Sequence, residues 1–381
     1  MNGTVSVNAS DAVRALRQCK HVAPGKSTLP VLSHALVSAR VNGLTFTVTD
    51  LDTALEYTVD TGYAGPCGPL ACVPLKSFVD TLAGFGSAGV TLTFDGDTVV
   101  VASGNGGTAK LPTFPAEEFP CLPAVPPYSL AEFAPDVLAR TVEAVLPFVS
   151  RDETRPSLNG VLFEFAAPEG FRVVATDGHR LAVHSASPLF VSEETPNAIV
   201  PPAALKVLGA LLKKHPDKVE YRAGGIGTKL GRGAHCKFIS GDWVLASRLA
   251  EGPFPNYRQI LPKGNGQWFT TTVDALLPHV KALAPLTDKV THRVRFNVSD
   301  AGLDLSVSVP DVGESRRHLT CATAGTLEMG FSAKYLLDIL KVAPDKRAPF
   351  NMHFSGPVSA ATLDYGDAAT DTVILMPVRL S

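Results

Sequence analysis

Five residues have the types that acid–base or metal chemistry needs: Asp50, Asp52, Asp177, His179 and His184. Such a set would hold a divalent metal, or pair an acid with a base, for the hydrolysis of a phosphate ester. The spacing argues otherwise. No HxH, HExxH or DxD set with supporting partners accompanies them, and Asp177-Gly178 between two β runs reads as a turn whose Asp bonds its own backbone. A metal-dependent enzyme acting on nucleic acid through Asp177 and His179 therefore stands as an alternative, to be tested by substitution of Asp177. Gly25-Lys26-Ser27 resembles the end of a P-loop, but Lys20 stands where that motif needs Gly, and the segment follows a helix instead of opening one. The runs at 104–107 (GNGG) and 224–227 (GGIG) lie between short strands and read as hairpin turns, and Asn159-Gly160 reads as another. Cys19, Cys67, Cys72, Cys121, Cys236 and Cys321 include no CxxC pair, so neither a zinc site nor a disulfide framework is expected. The expectation is no catalytic residue, no metal and no cofactor.

The elements that would place Asp177 show a repeat. Phe171 to Thr176 alternates as a strand, the chain bends at Asp177-Gly178, and a strand resumes from Arg180. Leu44 to Asp52 has the same rhythm and the same Thr-Asp, 127 positions earlier. Val73-Pro74 and Val200-Pro201 each open a helix at the same period, and Phe119-Pro120 is echoed by Phe254-Pro255. A helix over 10–20, capped by Ser10 or Asp11, begins the first repeat, with Arg14, Arg17 and Lys20 off its apolar face. β runs follow at 31–39, 44–49 and 53–59. Further helices are expected over 135–146, 202–214, 272–283 and from Phe331. Each repeat therefore reads helix, strands, helix, strands, although the third has Val309-Pro310 where the others carry Thr-Asp. A chain of 381 residues, 45% apolar, has the material for three such α+β domains. The proline-rich stretch after Phe114 and the stretch 261–267 serve as linkers, which sets domains at 1–125, 126–264 and 265–381.

The formal net charge is -2, which excludes a polybasic protein that coats nucleic acid by bulk charge. Lys and Arg nevertheless outnumber Asp and Glu on the expected helices, so the remainder of the chain is acidic. Positive charge gathered on one class of element, in three repeats, suits a surface that faces a polyanion. No run approaches the roughly 18 apolar residues of a membrane span, and a soluble, cytoplasmic protein is expected. The apolar ending Ile374 to Val378 reads either as core or as one wall of a peptide groove.

Five motifs then point to one family. Leu29-Pro30-Val31-Leu32, Arg155-Pro156-Ser157-Leu158-Asn159-Gly160-Val161, Thr176-Asp177-Gly178-His179-Arg180-Leu181-Ala182, Phe254-Pro255-Asn256-Tyr257 and Met376-Pro377-Val378-Arg379-Leu380 resemble the bacterial DNA polymerase III β subunits, the sliding clamps. The likeness spans the whole chain. It implies three repeated DNA-clamp domains, helices on the inner face and antiparallel sheets outside, in a head-to-tail homodimer closed as a ring around double-stranded DNA. It implies a non-catalytic processivity factor that binds DNA without regard to sequence and tethers the replicative polymerase, the clamp loader and other proteins that carry linear motifs. A scaffold repeat protein that never meets DNA is the second alternative. Family positions make Lys26, Arg151 and Arg155 DNA-facing, with Arg14 and Lys206 among the helical cations, and Phe85, Leu111 and Leu286 apolar contacts between subunits. Carried over position by position, the peptide groove comprises Thr176, Gly178, His179, Arg180, Leu181, Pro255, Gln259, Ile260, Ser332, Tyr335, Val358, Ala360, Ile374, Leu375, Met376, Pro377, Val378 and Arg379. Gln259 and Ser332 stand where relatives commonly carry Arg and Asn, and Pro202 and Ala203 replace basic residues.

Overall fold

The computed structural model describes residues 3–122, 125, 129–167, 170–214, 217–224, 233–261, 266–366 and 371–380. Among them the six expected helices are α1 (Ala9–Cys19), α2 (Leu75–Gly84), α3 (Pro135–Val145), α4 (Pro202–Leu212), α5 (Val273–Leu283) and α6 (Ala333–Val342). The cap of α1 corrects the sequence reading. Asn8, not Ser10 or Asp11, accepts the free N–H of Ser10 at 2.9 Å, because an extended residue with a side-chain oxygen is what a helix start requires. Ala12, Val13, Ala15, Leu16 and Cys19 are buried while Arg14, Arg17 and Lys20 are exposed, as their spacing implies. Thr272 caps α5 through its hydroxyl, 3.3 Å from the N–H of Ala275. The run at 31–39 also differs: Pro30–Ser33 is a 3-10 turn, started by proline's fixed φ, and the strand proper is His34–Arg40.

The fold divides into two compact units, Met1–Ala139 with Pro188–Pro196 and Ala203–Leu249, and Arg140–Ser187 with Asn197–Pro202 and Ala250–Ser381. Each holds one nine-stranded and one four-stranded sheet, with antiparallel pairing throughout the described ladders. The unit boundary cuts through the middle repeat for a reason visible in the strand pairs. In the first unit Trp243–Arg248, from the middle repeat, pairs with Thr53–Asp60 of the first. In the second unit Arg180–Ala186, also from the middle repeat, pairs with Asp371–Leu375 of the third. Each nine-stranded sheet is thus continuous across two repeats.

The four-stranded sheet of the first unit ends at Thr108–Pro112, and that of the second unit at Gly313–Leu319. Gly313–Leu319 has the sequence GESRRHL and is mostly exposed, so it lacks the apolar alternation that marks a strand. The GNGG run closes the hairpin between Thr98–Ser103 and Thr108–Pro112, as expected. Of GGIG only Gly224 falls within the described residues, as the end of a strand. No helix is long and apolar enough to cross a membrane among the described residues.

Candidate functional site: an apolar groove in the second unit

Thr176 to Arg180 forms a turn that consumes its own polar groups. The Thr176 hydroxyl donates to the carbonyl of Arg180 at 2.7 Å and accepts from the N–H of Gly178 at 3.1 Å. Asp177 Oδ1 accepts from the N–H groups of His179 and Arg180 at 2.9 and 3.0 Å. Gly178 sits at φ +89°, which glycine adopts without a Cβ clash. The Asp177 carboxylate thus holds the turn, and among the described residues no group of three His, Cys, Asp or Glu could hold a metal ion.

Arg180, expected to line the groove, is buried and turned inward. Its Nε donates to Asp177 Oδ2 at 3.0 Å, Nη1 to Asp338 Oδ2 at 3.0 Å and Nη2 to the carbonyl of Pro147 at 2.6 Å. Its guanidinium carbon lies 4.4 Å from the Tyr335 ring centroid and 5.1 Å from that of Phe148. Arg180 thus ties the turn of the middle repeat to α6 of the third. Outside this hub the His179 ring stacks on Tyr335, 6.2 Å between centroids. Burial first, and then the charge of Asp177, pushes the Tyr335 phenol up, so it stays a neutral donor.

Beside the turn Leu162, Val174, Leu181, Val183, Ile199, Tyr257 and Ile374 form an apolar cluster, with Ala250, Phe254, Leu261 and Ala360 packed against it. Of the expected groove residues, Leu181, Ile374 and Ala360 belong to it. Leu162 and Val174 escaped the sequence reading, although their alternation on adjacent strands, opposite each other in register, marked one shared face. Pro255, Gln259 and Ile260 belong to the segment of the 3-10 turn Tyr257–Ile260, and Ile260 is 55% exposed. Thr176 and Ser332 are buried, and Val358 is exposed.

The C-terminal run divides into a buried part and an exposed part. Ile374 and Leu375 are core, whereas Met376 is 44% exposed. The tail is pinned at three points: Met376 N–H to the His179 carbonyl at 2.9 Å, Val378 N–H to the Gly330 carbonyl at 2.8 Å, and the Arg379 carbonyl to Arg293 Nη1 at 2.8 Å. Pro377 and Val378 lie half-buried along this path and Arg379 is exposed. His179, Tyr335, Arg151, Arg155 and Lys334 also line a neighbouring cleft of about 360 Å³. An exposed Met, an aromatic–imidazole pair and a fixed tail beside a buried apolar cluster are the kinds of group that a linear apolar motif uses.

Of the cations expected at DNA, Arg14, Lys26 and Lys206 are exposed. Arg14 Nη2 pairs with Asp11 at 3.0 Å, and Arg155 Nε with Asp152 at 2.8 Å. Of the expected subunit contacts, Leu111 lies on the edge strand Thr108–Pro112, and the Phe85 ring lies beside Gly107 in the turn before it. Leu286 lies beside Gly313, where the other edge strand begins.

The DNA polymerase III beta subunit family matches this chain in three consecutive parts: its N-terminal domain over residues 4–123, its central domain over 132–256 and its C-terminal domain over 258–379. The chain is 29% identical to the beta sliding clamp of Salmonella typhimurium over 382 residues, covering 98% of this chain and 99% of that protein. It is likewise 29% identical to the beta sliding clamp of Escherichia coli K12 over 380 residues, with coverage of 98% and 99%. The crystal structure of the DNA polymerase III subunit beta from Pseudomonas aeruginosa superposes with a TM-score of 0.90 at 26% identity, over 99% of this chain and 100% of that one. The chain therefore belongs to the DNA polymerase III beta subunit family, the beta sliding clamps, and consists of three clamp domains.

Proposed function

We propose that two copies of this chain close head to tail into a ring around double-stranded DNA, and that the apolar groove docks the proteins the ring tethers. The protein is a DNA sliding clamp, a processivity subunit of DNA polymerase III with no catalysis of its own. Domains at 1–125, 126–264 and 265–381 divide the chain. The edge strands Thr108–Pro112 and Gly313–Leu319 end their sheets, and an edge left open invites pairing with another chain. One on each side of a contact between unlike surfaces makes a heterologous interface, which yields a ring when the rotation closes. Phe85 and Leu111 from one copy then meet Leu286 from the other.

In the ring the helices line the hole. Arg14, Lys26, Lys206, Arg151 and Arg155 face phosphates, whose contacts carry no sequence information, so the clamp slides. Enclosure retains the clamp and tethering raises the effective concentration of a polymerase at the primer end. The replicative polymerase, the clamp loader and other partners compete for the groove through short peptides with a Gln and terminal apolar residues. Gln259 and Ser332 shift the peptide preference, and the site of action is the cytoplasm.

The single observation that supports this reading is the junction of the Thr176–Arg180 turn with the C-terminal run, where the Met376 N–H meets the His179 carbonyl and the Met376 side chain stays exposed. The test is loading onto nicked circular DNA, followed by cutting of the circle at high salt. Retention on circles and loss from linear ends is expected, because salt suppresses phosphate contacts and leaves topological linkage intact. Equal retention on both would refute encirclement, as would a stable monomer of 40.1 kDa at micromolar concentration. It would favour a scaffold that does not enclose DNA.

A further inference from the structure

Below the groove lies a buried carboxylate that no peptide contact explains. Glu164, on the strand Val161–Ala167, is buried, with its side chain 8% exposed. Both oxygens are engaged: Tyr257 Oη donates to Oε2 at 2.7 Å, and Arg258 Nη1 and Nη2 donate to Oε1 and Oε2 at 3.0 Å each. The Arg258 guanidinium carbon also lies 5.2 Å from the Tyr257 ring centroid. Burial of a carboxylate is costly, and this one is answered by a fork-shaped pair and a phenol from consecutive residues.

Those two residues open the turn Tyr257–Ile260. The turn has no side-chain cap, and a single 3-10 turn of four residues has little stability of its own. Its position must come from what Tyr257 and Arg258 hold. The Tyr257 ring completes the apolar cluster, while Gln259 and Ile260 at the other end of the turn are exposed. We propose that Glu164 is a positioning residue of the groove, acting through Tyr257 and Arg258 to fix the turn so that Gln259 and Ile260 stand against the bound peptide.

This inference rests on the groove reading and is tested beside it, by anisotropy of a fluorescein-labelled hexapeptide with an internal Gln and two terminal apolar residues. Glu164→Gln breaks the fork and is expected to weaken binding about tenfold, the scale of one charge-assisted bond. Arg258→Ala removes the fork from the exposed side, Arg258 being 45% exposed, and is expected to act in the same direction, with thermal denaturation of both variants run beside the binding to confirm that they are folded. Arg258→Lys, which keeps the charge but not the fork, recovers part of the loss. In an Ile260→Ala background the Glu164→Gln effect shrinks toward none, because the route runs through that turn. Failure of the unaltered chain to bind overturns the groove reading and this inference with it. Binding by the unaltered chain, with Glu164→Gln and Arg258→Ala within twofold of it, overturns the inference alone. Independent, multiplying effects of Glu164→Gln and Ile260→Ala overturn it too.

Discussion

Replacement of Arg180 by Ala tests the hub on which the groove is hung. The guanidinium, with its side chain 6% exposed, makes three charge-assisted hydrogen bonds, to Asp177, Asp338 and the Pro147 carbonyl. At roughly 1.5–3 kcal/mol each these set an upper limit, not a sum to be expected. The freed carboxylates are 15% and 29% exposed for Asp177 and Asp338 and regain some water, and Asp177 keeps two backbone N–H donors. Breaking a buried pair of this kind costs about 3–5 kcal/mol, and the lost stacking on Tyr335 and Phe148 falls inside that range. A local loss of about 4 kcal/mol corresponds to roughly three orders of magnitude in amide protection. The assay is hydrogen exchange along Arg180–Ala186 and at Met376, whose N–H bonds to the His179 carbonyl. Arg180→Lys, which keeps the charge and loses the fork, should fall between the two. Protection in Arg180→Ala within tenfold of the unaltered chain would refute the claim that this side chain joins the middle and third repeats.

Three further expectations follow from local geometry. A Cβ at Gly330 would stand 2.5 Å from the Val378 carbonyl oxygen, so Gly330→Ala should displace the C-terminal tail and weaken the labelled hexapeptide about tenfold, at a stability cost of about 1–3 kcal/mol; unchanged affinity would show that the tail is no part of the groove. Gly178→Ala should cost about 1–2 kcal/mol by thermal denaturation, since it sits at φ +89° and its Cβ would meet Arg155 Nη1 at 3.1 Å. The Thr291 side chain, followed by the backbone N–H groups of Thr291, Arg293 and Val290, holds the Asp288 carboxyl well below the usual carboxylate range. A depressed folded pKa means stability that is present above the unfolded value near 4 and lost as pH falls through the folded pKa. Asp288→Asn should therefore lower the melting temperature at pH 6, with the gap narrowing as the pH falls below the unfolded value near 4 and closing only below the depressed folded pKa; a gap that widens in acid would contradict the sign.

Helices and turns were legible in the sequence because they are local. Proline starts, apolar spacing and Asp-Gly place α2 to α5 and the 177–178 bend within a few residues. Strand partners were not. The pairing of Trp243–Arg248 with Thr53–Asp60 joins segments nearly two hundred positions apart, and no periodicity in either one specifies the other. The inward turn of Arg180 was hidden for the same reason: its partner Asp338 is 158 positions away. The expected peptide-groove residues came from likeness to relatives, while the pairing of Leu162 with Val174 in the buried cluster lay unread on two adjacent strands.

The repeat gives the bend of the second unit a counterpart in the first, and the two differ in their side chains. There the Thr49 hydroxyl donates to the Thr53 carbonyl at 2.9 Å and accepts from the Leu51 N–H at 3.0 Å, and Asp50 Oδ1 accepts from the N–H groups of Asp52 and Thr53. Leu51 takes φ +85°, close to Gly178, although a leucine there is strained. Even the next strand keeps its place: the Arg248 N–H meets the Asp52 carbonyl at 2.7 Å, as Met376 meets His179. The backbone is the same and the side chains are not. Where the second unit has Met376 and His179, the first has Arg248 and Asp52, with their charges 3.9 Å apart. A small open pocket of about 50 Å³, lined in part by Leu51, Asp52 and His235, lies beside that bend. An ion pair at an open surface keeps its water, so it offers no apolar wall to a peptide. The two bends thus share one set of backbone bonds and part at the positions of His179 and Met376, where the first unit carries charge and the second does not expose a matching ion pair.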